Sequence, residues 1–527
     1  MNVLLIVVDQ WRGDTLAHLG HPCVRTPNVS RLAARGVTFT GHYCQGVPCA
    51  PARASLLTGT YPMTHRVVRN GTPLDARLAT LASVTRAAGL DPALTGYTTT
   101  APDPRETTAD DPRYETHGDI MDGWRQVRPF APAKRPYFGW LSGQGYDVPE
   151  PPEQAWNPQR PGQVASDGPL DLPLPIAPEH TDTAWFTDGA LEHIRAHAGR
   201  PWFLHYGVYR PHPPFVAAAP YLAHYPWRAM PAPVRAATPA AEGAQHPLLA
   251  HYLGRIDQSK FFENRHGPVA AMGEDEVRQT RAQYYALVTE VDHHIGRVLD
   301  LLERSGEAER TLVVFTSDHA EQLGNHWMLG KQGYFRDSYH IPLIVVDPRP
   351  DADATRGRVV DAFTESVDVM PTILEWLGLE APRQCDGVSL LPWLHGGAPE
   401  QWRRGVFYEF DFREVMDPVV ESSLGVDLDA CGVSIWQERR FKHVHFTGLP
   451  PLLFDLAADP HELHDLAGSP AHRDPLLAIT QRHLSHRMAH ANRTLTGYCA
   501  GDGLHHRGAR DDVPRRLGQP AVHSRRR

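Results

Sequence analysis

Long hydrophobic runs are missing from this chain of 527 residues. No stretch reaches the ~20 apolar residues that a helix needs to cross a bilayer, so we predict no membrane-spanning segment. The apolar start, MNVLLIVVDQW, is short, has no basic leader and meets Asp9 at once. A signal peptide has a longer apolar region and a small-residue cleavage site. We therefore expect this start to form a buried first strand.

An excess of positive charge is also missing. The chain has 52 lysine and arginine residues against 61 aspartate and glutamate residues, for a net charge of -9. A nucleic-acid-binding protein needs a basic surface to neutralise phosphates, so we expect no nucleic-acid partner. Lysine itself is scarce and occurs only as Lys134, Lys260, Lys331 and Lys442. A lysine close to a candidate site therefore carries more weight than usual.

Cysteine is the third shortage. The chain has six cysteines, at the irregular positions Cys23, Cys44, Cys49, Cys385, Cys431 and Cys499. Such spacing in a chain of this length does not indicate a disulfide framework. A cytoplasmic location is therefore expected, because thiols stay reduced there.

Short apolar segments predict the buried strands of the fold. They are Val3–Val8, Pro92–Gly96, Trp202–Val208, Thr311–Thr316 and Pro342–Val346. Helical patterns lie between them, most clearly over Glu276–Arg304 and Ser366–Leu377. Alternating strands and helices predict an α/β fold with a mostly parallel central sheet and helices on both faces. In such sheets ligands bind at the carboxyl ends of the strands.

We predict three successive parts. Residues 1–380 form the large α/β domain, in which the proline-rich and acidic segment 103–180 is either a lid over the site or a surface insertion. Residues 381–467 contain shorter segments, such as RRGVFYEF and ERRFKHVHF, that predict a smaller C-terminal α+β domain with an antiparallel sheet. Residues 468–527 are predicted to form a helical arm and a flexible polar tail.

Polar side chains end two of the predicted strands. Asp9 and Gln10 follow the first apolar run, and Asp318 and His319 follow the run that ends near Thr316. A single polar strand end is ordinary, but two such ends with an imidazole are able to converge on one metal ion. Mixed oxygen and nitrogen ligands suit Mn²⁺, Fe²⁺ or Zn²⁺ better than Ca²⁺. Taken alone, these residues leave a metal site and plain strand ends equally open.

The segment GVPCAPARASLLTGTYP sets Cys49 between two prolines and ahead of an Ala-rich run. The prolines argue against a core strand, and the run predicts a helix whose N-terminus suits an anion. A phosphatase that uses cysteine directly would have arginine where this chain has Ser55. The C-x-P-x-R spacing of Cys49 and Arg53 instead matches the motif that a maturation enzyme oxidises to formylglycine. Because this motif also arises by chance, the rest of the sequence has to show whether Cys49 is converted to formylglycine.

Seven motifs supply that context: NVLLIVVDQWRGD, PNVSRLAARGVTF, PCAPARASLLTG, FTSDHAEQLGNH, SVDVMPTILEWLG, CDGVSLLPWL and LFDLAADPHELHDLA. Together, from residue 2 to about residue 467, they resemble the sulfatase family of the alkaline phosphatase superfamily. Three more motifs, GYTTTAPDPR, YRPHPPFVAAAP and LGKQGY, look like its phosphonate monoester hydrolase and phosphodiesterase branch. The resemblance implies an alkaline-phosphatase-like central sheet.

The resemblance also implies the site residues. Those implied to hold one divalent metal ion are Asp9, Gln10, Asp318 and His319, with the formylglycine made from Cys49. Mn²⁺ is the expected ion, and Fe²⁺, Zn²⁺ and Ca²⁺ are the alternatives. Those implied to act in catalysis are Cys49, Arg53, His212 and Lys331, and those implied to bind substrate are Asn70, Tyr97 and Thr99. Apart from the resemblance, His212 is open to reading as a loop histidine and Tyr97 as a core residue.

Differences between this sequence and that of an ordinary sulfatase indicate to which branch of the family it is similar. GYTTT stands where such enzymes carry GKWHLG, so Tyr97 replaces a cation and Thr99 a histidine. The metal set ends in Asp318-His319 rather than Asp-Asn, and Gln10 replaces an aspartate. Fewer cations suit a monoanionic centre with an additional organic substituent, as in phosphate diesters and phosphonate monoesters. A sulfate monoester is also a monoanion, so charge alone does not exclude it.

We therefore expect a hydrolase of phosphonate monoesters and phosphodiesters that is promiscuous toward sulfate monoesters. In this hypothesis hydrated formylglycine at position 49 attacks the ester covalently, and the aldehyde re-forms by cleavage of a carbon–oxygen bond. His212 or Lys331 assists the leaving group. One alternative is an arylsulfatase or choline-sulfatase-like enzyme with the same machinery. Another is a non-catalytic binding protein on this fold.

Two kinds of protein partner are expected. One is a formylglycine-generating enzyme, which would mature Cys49. The other is further copies of the chain, because the C-terminal segment QRHLSHRMAHANRTLTGY is long enough to pack on a neighbouring subunit. We predict a homo-oligomer, with a tetramer expected. A helix docked on its own chain is the alternative.

Overall fold

The computed structural model describes residues 1–116, 120–130, 134–158, 170–263, 265–496, 498–500 and 504–506. Parts of the predicted 103–180 segment, at 117–119, 131–133 and 159–169, lie outside the described residues. So do residues 501–503 and 507–527, which make up most of the predicted tail.

A mixed sheet lies at the centre of the fold. Within the described residues it has eight strands: β1 (Asn2–Asp9), β2 (Val37–Tyr43), β3 (Pro92–Gly96), β4 (Arg125–Pro129), β5 (Phe203–Pro211), β6 (Thr311–Ser317), β7 (Leu343–Val346) and β8 (Arg358–Glu365). Their order across the sheet is β4-β3-β5-β1-β6-β7-β2-β8. Every residue of the central strand β1 is buried. The chain start is therefore a buried strand, as its apolar pattern predicts.

Helices cover this sheet. The α-helices of the described residues are α1 (Pro27–Arg35), α2 (Cys49–Thr58), α3 (Pro62–His65), α4 (Leu81–Ala87), α5 (Arg135–Gly143), α6 (Asp182–Ala196), α7 (Ala219–Leu222), α8 (Pro239–Gly243), α9 (Pro247–Leu253), α10 (Glu274–Arg304), α11 (Val369–Trp376), α12 (Leu391–Leu394), α13 (Val419–Leu424) and α14 (Arg473–Ala489). No helix of these residues is long and apolar enough to cross a membrane.

Alternate residues of β1 face two separate cores. Leu4, Ile6 and Val8 pack in one core with the buried stripe of α10 and with α6. Val3, Leu5 and Val7 pack in the other with α2, α4 and α11. Because successive strand residues point to opposite faces, this division places helices on both sides of the sheet. The predicted α/β fold class is confirmed.

The direction of one strand differs from the prediction. Pro342–Val346 is grouped by its apolar pattern with the parallel strands, but β7 is antiparallel to both β6 and β2. The reason lies in the connection. Residues 318–342 stay at the carboxyl end of β6 and return there, so the chain enters β7 from that edge. A parallel neighbour would instead need a crossover to the far edge of the sheet.

Three strands have weak sequence signals and are missing from the predicted set. β4, of sequence RQVRP, is an edge strand with partly exposed residues. β8 is only partly buried and mixes charged with apolar residues, and β2 includes two threonines and a histidine. β4 and α5 both belong to segment 103–180, so this segment is partly built into the main sheet.

A second, smaller sheet follows. It is antiparallel, in the order β12-β11-β10-β9, and consists of β9 (Gly405–Asp411), β10 (Gly432–Glu438), β11 (Phe441–Phe446) and β12 (Leu452–Asp455). Helix α14 packs on it through Ile479 and His483. The predicted C-terminal α+β unit is thereby confirmed. Beyond it, β13 (Tyr498–Ala500) pairs with β14 (Leu504–His506), which lies in the segment predicted to be a flexible tail.

Candidate functional site

The candidate site lies where the two central strands end. Asp9 is the last residue of β1, and Asp318 and His319 follow β6. Since β1 and β6 are parallel neighbours, their carboxyl ends meet at one edge of the sheet. Cys49 is the first residue of α2, a helix buried along its whole length. The N-terminus of α2, where the helix dipole favours negative charge, thus lies at this edge.

Four buried side chains converge there. One ligand atom each from Asp9, Cys49, Asp318 and His319 lies within 4.8 Å of all the others. His319 Nε2 is 3.2 Å from Cys49 Sγ. It is also 3.7 Å from Asp9 Oδ1 and 3.7 Å from Asp318 Oδ2. We call these four residues the metal cluster.

The metal cluster fits a divalent cation. Asp9 Oδ1 is buried and has no hydrogen-bond partner among the described residues, which is costly unless a cation or water completes it. His319 Nδ1 lies 3.2 Å from the Ala320 carbonyl oxygen. Donation of the Nδ1 proton to that carbonyl leaves the Nε2 lone pair facing the cluster, as a metal-binding imidazole requires. The ion that fills the cluster stays a prediction.

Gln10, the fifth predicted ligand, lies at the edge of the cluster. Its backbone N–H donates to Asp318 Oδ1 at 3.1 Å. Its amide oxygen accepts from Lys331 Nζ at 2.7 Å, and its amide nitrogen donates to Glu321. In this arrangement Gln10 links the cluster to Lys331. Its role as a direct ligand stays a prediction.

Glu321 is a site residue that the sequence reasoning missed. It is buried and also accepts from the backbone N–H groups of Leu323 at 2.9 Å and Gly330 at 2.6 Å. It therefore shapes the loop that carries Lys331 and holds Gln10 in place. The available signal was its position in the motif FTSDHAEQLGNH, three residues after Asp318.

Arg53 lies one helical turn after Cys49 and pairs with both carboxylates. Its Nε donates to Asp318 Oδ2 at 2.9 Å, and its Nη2 donates to Asp9 Oδ2 at 3.2 Å. Its Nη1 donates to the Tyr97 carbonyl oxygen at 2.9 Å, and the guanidinium lies 4.4 Å from the centre of the Tyr97 ring. The Tyr97 hydroxyl donates to Asp9. Tyr97 thus touches the metal cluster directly.

Lys331 and His212 complete the inner site. Lys331 Nζ is 3.5 Å from Cys49 Sγ. His212 directly follows β5, and its Nδ1 lies 2.8 Å from the Pro213 carbonyl oxygen. Its ring packs 4.6 Å from that of Tyr209. Burial and the charge of Lys331 lower the pKa of His212 to about 3. His212 is therefore neutral and presents an unprotonated Nε2.

The two remaining predicted residues are more peripheral. Asn70 Oδ1 accepts from the backbone N–H of Ala50 at 2.9 Å. It thereby holds the first turn of α2, next to Cys49. Thr99 follows Tyr97 by two residues and has a left-handed backbone, with a φ of 54°. The predicted substrate-binding roles of both residues stay predictions.

Burial shifts the pKa values of the cluster. It raises the pKa of Asp318 to about 7, and the neighbouring Asp9 adds to this rise. Burial also opposes ionisation of Asp9, but the charges of Lys331 and Arg53 beside it leave its pKa below the ordinary value. Burial, followed by Asp9, raises the pKa of the Cys49 thiol to about 12. The thiol is thus held in its protonated form by these side chains.

Comparison with known proteins agrees with this geometry. Fold and site place the protein in the alkaline phosphatase superfamily. The family model described as "Sulfatase" matches residues 1–379, and the one described as "N-sulphoglucosamine sulphohydrolase, C-terminal" matches residues 324–491. The chain belongs to the sulfatase family, a family of hydrolases, and the resemblance seen in its motifs is confirmed.

Relatives within the family can be named. A "Multifunctional alkaline phosphatase superfamily protein PehA" of Trinickia caryophylli is 50% identical over 502 residues, which cover 94% of this chain and 97% of the relative. The phosphonate monoester hydrolase of Agrobacterium radiobacter has a TM-score of 0.92 and 40% identity, over 96% of this chain and 99% of its own. The phosphonate monoester hydrolase SpPMH of Silicibacter pomeroyi has a TM-score of 0.87 and 37% identity, over 96% of this chain and 99% of its own.

Proposed function

We propose that this protein is a metal- and formylglycine-dependent hydrolase of phosphonate monoesters and phosphodiesters, with sulfate monoesters as poorer substrates. The observation that carries the proposal is the balance of charge around Cys49. Arg53 is engaged by two carboxylates, and His212 is neutral. Lys331 is then the cation in contact with the reacting position. One ammonium group suits a monoanionic ester centre better than a dianionic one, which favours phosphonate monoesters, phosphodiesters and sulfate monoesters over phosphate monoesters.

The likeness to two phosphonate monoester hydrolases, at TM-scores of 0.92 and 0.87, supports phosphonate monoesters and phosphodiesters as the preferred substrates. When present, the metal would polarise an ester oxygen, and the oxidised Cys49 would supply a hydroxyl nucleophile. The metal cluster of Asp9, Asp318, His319 and the oxidised Cys49, with Gln10 at its edge, would hold the ion. Mn²⁺ is the ion we propose, since the donor set mixes oxygen with imidazole nitrogen.

The residues around the metal cluster have different roles in the proposed reaction. Arg53 fixes the orientation of both carboxylates, and Asn70 holds the first turn of α2 so that position 49 faces the cluster. Lys331 binds the anionic oxygen and stabilises charge on the departing alkoxide. His212 donates through Nδ1 to a carbonyl, so its Nε2 accepts a proton rather than giving one. Of the two candidates for leaving-group assistance, this geometry favours Lys331.

Segment 103–180 supports a role in binding the ester substituent. Phe130, which follows β4, stacks 5.7 Å from the Tyr97 ring and lies 4.9 Å from the Tyr209 ring. Lys134 Nζ is 5.7 Å from the centre of the Tyr209 ring. We propose that this aromatic wall receives the organic group of the ester, which is the lid role rather than a plain surface insertion.

The test is a rate comparison on protein produced with a formylglycine-generating enzyme and loaded with Mn²⁺. The substrates are an aryl phosphonate monoester, an aryl phosphodiester and an aryl sulfate with one common leaving group. We expect the phosphorus esters to lead. The Cys49→Ala variant is expected to lose several orders of magnitude in kcat/KM. The matched control is Cys44→Ala, which removes a buried thiol outside the cluster and leaves the rates unchanged.

The outcomes separate the alternatives. If the aryl sulfate leads and Cys49→Ala is inactive, the protein is an arylsulfatase or choline-sulfatase-like enzyme with this machinery. If no ester is turned over although mass spectrometry shows formylglycine at position 49, the non-catalytic alternative holds. Turnover by Cys49→Ala at the parent rate would refute the covalent hypothesis.

We also propose that copies of the chain associate, as a tetramer. Helix α14 docks on its own chain through one face, and on the other it exposes Leu477 and Met488, whose relative exposures are 60% and 71%. Burial of these side chains against another copy would remove apolar surface from water. Light scattering that shows a monomer at micromolar concentration would refute this association.

A further inference from the structure

A cavity of about 530 Å³ lies between the large domain and the small sheet. On the side of the large domain it is bounded by Pro51, Pro62 and residues 66–68. On the other side it is bounded by β9, β10, β11 and α14. Its volume falls within the ~300–1,000 Å³ typical of small-molecule sites.

The cavity is separate from the hydrolytic site, although the two share helix α2. Cys49 and Arg53, one turn apart, point toward the metal cluster. Pro51 is two residues after Cys49, about 200° around the helix axis, and therefore faces the opposite way. None of the cluster residues lines the cavity among the described residues. The cavity thus backs onto the helix that carries the reacting position.

Much of the cavity wall is apolar. The apolar residues that line it are Pro51, Pro62, Val67, Val68, Phe410, Val433 and Leu484. Leu484 is also 58% exposed and stands at the opening, on the same face of α14 as Leu477 and Met488, so the association proposed above would border the opening. An apolar wall beside an opening of this kind suits the hydrocarbon body of a small ligand.

Another part of the wall consists of three polar side chains that are held in place by hydrogen bonds to one another. Ser434 Oγ lies 2.8 Å from His483 Nε2, and His483 Nδ1 lies 3.0 Å from His443 Nδ1. All three side chains are buried. Burial lowers the pKa of His483 to about 2 and that of His443 to about 4. These imidazoles are therefore neutral, and they shape the cavity without adding charge to it.

The acidic residues of the wall are matched by arginines. Glu409 pairs with Arg487, and Asp411 pairs with Arg413 at 2.8 Å. Asp429 is 98% exposed and lies 3.8 Å from Arg413, so its carboxylate belongs to the rim. The wall therefore offers no unpaired buried carboxylate to a cation.

Two further residues of the wall, Arg66 and His445, lack such partners, and Arg66 is the charged one because burial and the nearby Arg487 lower the pKa of His445. Neither Arg66 nor His445, which are both exposed, makes a side-chain hydrogen bond or ion pair with any other described residue. Arg66 ends α3 with a left-handed backbone, at a φ of 55°, where glycine is the usual residue. A strained, non-glycine residue of this kind is often held for function. Its guanidinium is near enough to Glu409 to favour the charged form of that carboxylate, and its N–H donors remain available to an anion at the mouth of the apolar recess.

We propose that this cavity binds a small organic anion, with the apolar body against Val67, Phe410 and Leu484 and the anionic group on Arg66 and His445. The ligand class is a carboxylate or phosphonate attached to an aromatic or branched hydrocarbon. Because Pro51 forms part of the wall, an occupant touches the first turn of α2. The inference does not depend on the proposed hydrolytic activity, since it is tested by binding.

The probe is 2-naphthoate, a carboxylate that contains no ester bond, titrated calorimetrically into the full-length protein. We expect saturable binding below about 1 mM. Arg66→Ala should weaken binding about tenfold or more, because a charge-assisted contact is lost. Leu484→Trp should abolish it by filling the recess. Arg77→Ala, which removes an exposed arginine paired with Asp75, is the matched control and should leave binding unchanged.

A second ligand keeps the test independent of any variant's folding. The neutral analogue 2-naphthylmethanol should bind the parent protein about tenfold more weakly than the carboxylate, and equal affinity would overturn the role of charge. Binding lost in Lys331→Ala but kept in Arg66→Ala would place the probe in the hydrolytic site and overturn the proposal. No binding at about 1 mM would also overturn it. So would a change of oligomeric state in Leu484→Trp without probe binding by the parent, because the recess would then be a contact between copies.

Discussion

At the scale of single residues, the ring and the hydroxyl of Tyr97 make separate contacts in the site. Its ring lies 4.4 Å from the Arg53 guanidinium, and its hydroxyl donates to Asp9. The motif resemblance implies contact with the substrate. The geometry adds a second role, because a hydrogen bond to a ligating carboxylate fixes that carboxylate and tunes its affinity for metal.

Tyr97→Phe separates these roles. It removes the hydroxyl and keeps the ring beneath Arg53. We expect Mn²⁺ affinity to fall roughly 10- to 100-fold, since Asp9 loses an orienting donor. Calorimetric metal titration checks this. The control is Tyr206→Phe, which removes a buried hydroxyl that lies 2.7 Å from Thr187 Oγ1. A higher KM with unchanged metal affinity would show that Tyr97 contacts the substrate alone.

Residue identity was easier to predict than residue contacts. Asp9, Asp318, His319 and Cys49 are brought together because strand ends of a parallel sheet share an edge, and the sequence order of strands and motifs carries that information. The partners of Gln10 do not follow from such a pattern. Its amide oxygen lies on Lys331 because of a loop conformation held by Glu321, which depends on tertiary packing.

At the scale of elements, helix α14 docks through a cluster of packed aromatic rings around His486. His486 packs 4.1 Å from His490, 4.7 Å from Trp436 and 4.9 Å from Phe407. His483, on the same helix, bonds to Ser434. Burial lowers the pKa of both His483 and His486 to about 2, and neighbouring basic groups add to the effect. Both rings are therefore neutral while the helix is docked.

The docking of α14 should weaken in acid. A histidine whose pKa is lower in the folded state contributes its full stability above the unfolded-state pKa of ~6.5 and loses it as the pH falls below that value. The loss approaches ~1.4 kcal/mol per pH unit for each such histidine. We expect amide hydrogen exchange in residues 473–489 to accelerate between pH 7 and pH 5, relative to the central sheet and after correction for intrinsic rates.

The variant His486→Gln should flatten this pH dependence, because one titrating group is removed. His461→Gln, at an exposed histidine, serves as the control and should leave the profile as in the parent. Exchange rates in α14 that follow the central sheet at both pH values would contradict the prediction.

Helices and strands differ in how well the sequence predicts them. The long helix α10 follows its apolar stripe to within two residues at its start. The direction of β7 does not follow from its four apolar residues, since direction depends on how residues 318–342 return. The edge strand β4 carries two arginines, so its pattern gives little sign of a sheet position.

At the scale of the whole molecule, a buried ion pair attaches the small sheet to the loop between β6 and β7. Lys442 of β11 lies 2.8 Å from Glu462 Oε1, and the two side chains are 0% and 2% exposed. Lys442 also donates to the Tyr334 carbonyl oxygen. Glu462 Oε2 accepts from the backbone N–H of Arg336 at 3.0 Å. The small sheet is thereby attached to the loop that carries Lys331.

Lys442→Met should lower the free energy of unfolding by about 3–5 kcal/mol, because Glu462 stays buried without its partner. The double variant with Glu462→Leu should recover only part of this loss, because apolar residues replace the pair but the Tyr334 carbonyl oxygen and the Arg336 N–H lose their partners. Chemical denaturation followed by circular dichroism measures both. The control Arg440→Ala breaks a pair whose arginine is 66% exposed and should change stability by less than about 1 kcal/mol. A single variant as stable as the control would contradict this coupling.

The antiparallel return from β6 to β7 has a consequence for inheritance. Because β6 and β7 are paired neighbours, residues 318–342 leave and re-enter the sheet about 5 Å apart. A segment with adjacent ends can be exchanged between homologous genes without rerouting the rest of the chain. One such recombination event would transfer His319, Glu321 and Lys331 together, while Asp9 and Cys49 remain in the recipient. The site is thus divided into two heritable blocks that can be shuffled separately.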